Sequence, residues 1–313
     1  MLDFTKITKR SHKMRFGVAL PNFGRHAEKG TILKISKAAE ELGFDSLWVS
    51  DHIVIPESHQ GFGGMFYEPL ITLTYIAACT SRIQLGTSVI ILPYRNPIVL
   101  AKMISTLDAL SGGRVILGIG TGWLKDEFDA LGVSYEKRDS ITDECIEVLK
   151  VLWTREEPSF KGKYYNFSGI KFLPRPIQKP RIPIWIGGNS RRAIERAVNT
   201  GDGWHSVGLT PKKIKEGVEY VNKLLSGKWK GTSDFVISLR KNLQIKVSSE
   251  KRLKESEDQE ILRGTPYEIA EGINRYRESG VSHIVFYILS GTLEGIIESM
   301  KLFSSEIKPA IKL

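Results

Sequence analysis

Cysteine is nearly missing from this chain: 313 residues hold two, Cys79 and Cys145. Both fall in helical patterns with no CxxC and no histidine nearby, which argues against a disulfide framework or a thiolate zinc site. They read as small core residues. None of the six histidines stands at metal-ligand spacing from another, so a metal-dependent hydrolase is disfavoured and no metal is expected. No apolar run approaches the roughly 20 residues needed to cross a bilayer, and residues 1–10 lack the apolar stretch of a secretory signal. The expectation is a cytoplasmic protein with no membrane partner. A glycine-lysine-serine phosphate loop, a zinc finger and an RNP-like aromatic motif are all missing as well.

What is there describes an ordinary globular chain able to bury a large core, 41% hydrophobic and 26% charged. The net charge is +10, with a sequence pI near 9.4. Lysines and arginines are scattered among acids, as in Lys212, Lys213, Lys215, Glu216 and Glu219, the pattern of a solvated helical face. No nucleic-acid partner is expected, and the excess charge suits a field that attracts anionic small molecules.

The chain repeats one punctuation, in which a short apolar run closes on small or polar residues and a helical pattern follows. Strands are expected at Arg15 to Leu20, up to Val49, up to about Val89, at Val115 to Gly120, at Ile184 to Ile186, around Gly203 to His205, within Phe235 to Val247, and at His283 to Tyr287. Helices are expected at about Glu68 to Thr80, Pro97 to Leu110, Trp123 to Leu131, Ile141 to Trp153, Arg191 to Asn199 and Pro211 to Leu225, and from Thr265, whose Pro266 and Glu268 complete a capping box. Eight such units predict a closed α/β barrel, the (β/α)8 TIM barrel, over an open doubly wound sheet. Such barrels typically need about 250 residues, so the surplus is assigned to inserted loops. The stretch Glu156 to Pro183 breaks the rhythm with prolines and aromatics (Phe160, Tyr164, Tyr165, Phe167, Phe172) and reads as an inserted hairpin or arm. Its aromatics suggest a homodimer contact or a wall of the substrate pocket. Ser248 to Asp258 reads as a charged loop or lid.

Candidate chemistry lies at the strand ends. Gly187-Gly188-Asn189-Ser190 precedes a helix and could cradle an anion on backbone amides, or be an ordinary tight turn. Gly118-Ile119-Gly120-Thr121-Gly122 has the spacing GxGxG, short of a dinucleotide fingerprint. His52, beside Asp51, could serve as proton donor or base, or bridge two loops structurally.

Taken in order, Ser50-Asp51-His52, Leu85-Gly86-Thr87-Ser88-Val89 with Asn96-Pro97, Gly118 to Trp123 with Glu127-Phe128, and Ile184 to Ser190 with Gly201-Asp202-Gly203-Trp204 resemble the bacterial-luciferase-like monooxygenase superfamily. The likeness is greatest to its coenzyme F420-dependent oxidoreductases and runs from about Arg15 to His205, then more loosely to Tyr287. It implies a single (β/α)8 barrel domain over 1–313, with the arm at about 156–183 and the charged loop at about 248–258. It also implies hydride transfer between F420 and a small organic substrate, with FMN as the alternative cofactor of a monooxygenase using oxygen. By position, His52 and Asp51 would be catalytic, and the Ser88–Val89 peptide would be a non-prolyl cis bulge behind the ring. Thr121, Gly122 and Gly187 would join the cofactor contacts, and Gly188, Asn189 and Ser190 would take the phosphate. Trp123 and Trp204 would line the substrate pocket. The family's sugar-phosphate dehydrogenases carry a catalytic glutamate where this chain has Trp123, which argues against sugar-phosphate oxidation. The resemblance also implies a homodimer.

Two other classes stay open. A phosphometabolite aldolase or isomerase would want a lysine or carboxylate base at a strand end, where the chain offers His52, Thr87, Ser88 and Thr121. A non-catalytic ligand-binding barrel would not need such intact turns.

Overall fold

The computed structural model describes residues 14–57, 59, 64–226, 235–246 and 261–312. The charged loop expected at 248–258 lies outside the described residues.

Eight parallel strands form the sheet: β1 (Arg15–Ala19), β2 (Ser46–Val49), β3 (Gln84–Thr87), β4 (Val115–Gly120), β5 (Ile184–Gly187), β6 (Gly203–Val207), β7 (Val236–Ile245) and β8 (His283–Ile288). Neighbours in the sheet are neighbours in sequence, and pairing of β8 with β1 closes it into a (β/α)8 barrel. β2 and β4 are buried at every position. A parallel strand covered on both faces reads as a continuous apolar run, and this is why these two were legible without alternation.

The chain divides into two compact units, Met1–Leu20 with Lys37–Leu47 and Trp185–Leu313, and Pro21–Ser36 with Trp48–Ile184. In the first, Phe303 makes an edge contact with Phe16 at 5.0 Å and lies 5.1 Å from Phe286 and 5.3 Å from Phe44. Phe303 follows the helix Leu293–Leu302, an element the sequence reading did not assign. β7 is longer than its neighbours. Its first half pairs with β6, and beyond the end of β6 residues 242–245 take up a further parallel strand, Ile261–Gly264, which the sequence reading missed. The helix Pro266–Glu278 opens on the expected capping box between Thr265 and Glu268.

In the second unit, Asn96 caps the helix Pro97–Ser111 through the amides of Ile98 and Val99, and Gly112 ends it in the left-handed region at φ 73°. The helix expected from Trp123 begins later, as Lys125–Ala130, because Gly122 adopts φ 81° and Leu124 is extended. Trp123 is thereby left outside the helix. The arm contains an antiparallel hairpin, Phe160–Lys161 with Asn166–Phe167. Its turn is tied down by Glu144, whose carboxylate accepts the amides of Lys163, Tyr164 and Tyr165 at 2.7–2.8 Å. Phe172 is buried beneath the Lys102 ammonium. Of the cysteines, Cys145 is buried as expected and Cys79 only partly so.

Candidate active site

The loop after β2 is fixed residue by residue. Asn22 accepts the Ser50 amide at 2.9 Å and donates to the Ser50 and Tyr67 carbonyls. Asp51 receives a two-pronged ion pair from Arg95 at 2.6 and 2.9 Å, together with the Ile91 amide. Burial pushes the Asp51 carboxyl upward, and the guanidinium and amide bonds oppose that by favouring the carboxylate. Arg95 also reaches Glu68, which caps the helix Pro69–Ala77. Asp51 is thus 4% exposed and committed to a structural pair.

His52 comes next in the loop. Its Nδ1 lies 2.8 Å from Glu127 Oε2, a carboxylate with no exposed surface. The other oxygen of Glu127 accepts the Ile53 amide at 2.6 Å and the Val54 amide at 3.3 Å, and Tyr94 donates its hydroxyl to Oε2 at 3.0 Å. Burial by itself would raise the pKa of Glu127, but the bonds from His52, Ile53 and Tyr94 outweigh it and hold the carboxyl below its ordinary range. Tyr94 is driven the opposite way, by burial first and by the neighbouring Glu127 charge second. Glu127 is therefore an ionised anchor. With Nδ1–H donated to it, His52 Nε2 is the ring's acceptor, the atom at which a proton can be exchanged.

The rings nearest His52 are Phe66, edge-on at 5.0 Å, and Trp123, edge-on at 6.3 Å. At the end of β3 the Ser88–Val89 peptide is cis, and the Ser88 amide donates to the Val49 carbonyl at 2.8 Å. Ile90 and Ile91 then pair with β4 again, so Ser88 and Val89 interrupt a strand that resumes beyond them. Thr121 and Gly122 follow the end of β4, half-buried.

In the other unit, Gly187 to Ser190 joins β5 to the helix Arg191–Thr200. Gly188 has φ 123°, and a Cβ there would come within 3.0 Å of the Ala193 Cβ, so the turn requires glycine. Ser190 caps the helix by accepting the Ala193 amide. The Asn189 side chain exchanges hydrogen bonds with the Val207 backbone, at 2.8 and 3.1 Å, and so splices the turn to the end of β6. Trp204 corrects an expectation. It is 1% exposed, its ring lies against Gly217 of the helix Pro211–Leu225, and its indole N–H donates to the Gly188 carbonyl. It faces the strand–helix layer rather than a pocket, because it belongs to the set of β6 side chains that points outward.

Sequence reasoning overlooked Arg95, Tyr94 and Asn22, and noted Glu127 only as part of a motif. The available signal was a glutamate in the first turn of a short helix that buries it, a position seldom given to an unpaired carboxylate. Among the described residues no group of three or more His, Cys, Asp or Glu could hold a metal ion, and no helix is long and apolar enough to cross a membrane.

The luciferase-like monooxygenase model matches residues 14–261, most of the chain. The chain belongs to that family. This luciferase-like protein is 29% identical over 304 residues to the F420-dependent glucose-6-phosphate dehydrogenase of Kineococcus radiotolerans, covering 82% of this chain and 87% of that one. Its fold matches the monooxygenase RslO1 from Streptomyces bottropensis with a TM-score of 0.81 at 23% identity, over 95% of this chain and 99% of that one. It also matches an F420-dependent secondary alcohol dehydrogenase in complex with an F420-acetone adduct, with a TM-score of 0.80 at 20% identity, over 96% and 100%.

Proposed function

We propose that this protein is an oxidoreductase that exchanges hydride between coenzyme F420 and a small organic substrate. The observation that carries the reading is the His52–Glu127 pair at the C-terminal end of β2, the end at which barrels of this kind place their chemistry. The F420-dependent dehydrogenase named among the relatives supports the choice of cofactor.

The residues present fit an anionic cofactor. The Gly187 to Ser190 turn stands at the positive end of a ten-residue helix that opens with Arg191 and Arg192, and the Gly188 backbone leaves no place for a side chain. Gly187, Gly188 and Ser190 would hold the phosphate, while Asn189 would keep the turn in shape. Ser88, Val89, Thr121 and Gly122 would hold the ring. When bound, the deazaflavin supplies a two-electron hydride donor or acceptor. Proton movement falls to His52 at Nε2, which takes the hydroxyl proton of an alcohol or returns one to a carbonyl oxygen. Glu127 stabilises the resulting imidazolium and fixes the ring's tautomer. Asp51, through Arg95, positions the loop that carries His52.

The Kineococcus enzyme's sugar phosphate is not carried over, since Trp123 stands where the resemblance puts the sugar-phosphate dehydrogenases' glutamate. FMN, with oxygen as co-substrate, is the alternative that the family's monooxygenases keep in view. Side-by-side titration of apoprotein with F420 and FMN tests the choice: tighter binding of F420 is expected, tighter binding of FMN would favour the monooxygenase, and binding of neither would overturn both. We further propose a homodimer. Val99, Met103 and Leu110 are exposed along one helix, and Ile71, Leu173 and Ile177 are exposed as well, whereas the arm's ring Phe172 is spent on internal packing. A Val99→Glu/Leu110→Glu variant should be monomeric by light scattering if the parent is a dimer through this face.

A further inference from the structure

The rim around His52 is apolar and exposed. Ile53 and Val54, the next two residues of the loop, are 40% and 42% exposed, Met65 is 49% exposed and Trp123 is 54% exposed. The first two have little freedom to turn inward, because their amides are bound to the buried Glu127. Met65 precedes Phe66, whose ring is edge-on to His52 and stacked on Phe23 at 4.9 Å. Trp123 is edge-on to both His52 and His59. A fixed loop that presents large apolar groups to water beside a proton-exchanging histidine is the arrangement of a ligand wall, for which such exposure is otherwise a cost.

The charge beneath the rim points the same way. Glu127 is ionised, and its four donors are the imidazole, two amides and a phenol, so the carboxylate is solvated without being neutralised by a fixed cation. The guanidinium of Arg95, next to Tyr94 in the chain, is divided between Asp51 and Glu68. A phosphate or carboxylate brought to His52 would face that negative charge across a low-dielectric wall. An uncharged molecule would not.

We propose that this rim selects an uncharged, hydrophobic alcohol or carbonyl compound. Its alkyl or aromatic part would lie on Trp123, Phe66, Ile53 and Met65, and its oxygen would be at His52. The inference rests on the oxidoreductase reading above. The test is equilibrium binding of cyclohexanol, benzyl alcohol and glucose 6-phosphate to the F420-loaded protein by saturation-transfer NMR, followed by turnover of each. The apolar alcohols should bind more tightly than the sugar phosphate. Trp123→Ala should weaken them about tenfold or more, the discrimination expected when an apolar wall is cut away, and leave F420 affinity unchanged. Met65→Ser is the second variant and should weaken them in the same direction. Preference for glucose 6-phosphate, or unchanged alcohol binding in both variants, overturns the inference while leaving the oxidoreductase reading intact. Failure of F420 and FMN to bind sinks that reading instead, and is seen in the cofactor titration before any substrate is added.

Discussion

Two histidines in the interior of one unit make acidification a sharp perturbation of this protein. His205 lies 2.8 Å from the Ser238 hydroxyl and His283 lies 2.8 Å from the Ser46 hydroxyl, at 3% and 1% exposure. Burial, with nearby Arg240 for His205 and with His205 and Arg15 for His283, pushes both down to about 3 from 6.5. Between those values the unfolded chain binds protons that the folded chain refuses, so stability is retained above about 6.5 and drains away as the pH falls toward 3. From pH 7.5 to 4.5 the linkage comes to about 2–3 kcal/mol for one histidine and to more for the pair. That is a large part of the 5–15 kcal/mol or so that holds a typical domain together. The assay is denaturant unfolding at both pH values for the parent, His205→Asn and His283→Gln. Each variant is expected to start less stable and to lose less on acidification, by about half of the histidine contribution. Subtracting variant from parent removes the carboxylates common to both. Variants that lose as much as the parent would refute the reasoning.

His52→Ala should lower turnover by roughly 10²- to 10⁴-fold with little change in cofactor affinity, as measured by steady-state kinetics beside a binding titration; near-normal turnover would make His52 structural. Gly188→Asp should weaken cofactor binding severely, because it sets a charged side chain where the backbone has φ 123° and the Ala193 Cβ is already close; unchanged affinity in a folded variant would remove the turn from the cofactor site. Asp51→Ala takes from Arg95 its two-pronged partner, leaving it Glu68 alone, and should cost about 1–3 kcal/mol by chemical denaturation, with Arg95→Met/Asp51→Leu recovering much of it. Gly217→Val forces a side chain into the Trp204 ring, within 2.3 Å of an ideal Cβ, and should destabilise by about 1–3 kcal/mol, read as a lowered unfolding midpoint.

The sequence by itself determined the punctuation of the barrel. Apolar runs such as Val115–Gly120, the proline and asparagine that open Pro97–Ser111, the capping box at Thr265 and the glycine-rich turn before Arg191 are all signals within a few residues, and each is where it was expected. The hairpin inside the arm was legible for the same reason. Partnership was not. His52 meets Glu127 across 75 residues and Asp51 meets Arg95 across 44, and no local pattern records which strand ends come together. The direction of Trp204 was hidden too, since a short strand buried on both faces carries no alternation to say which side chains point outward. The strand Ile261–Gly264 exists because β7 outruns β6 and leaves backbone groups to be paired. Local chemistry fixes where a strand starts and stops. Which carboxylate stands beside a histidine is decided when the closed sheet brings distant loops to the same end of the barrel.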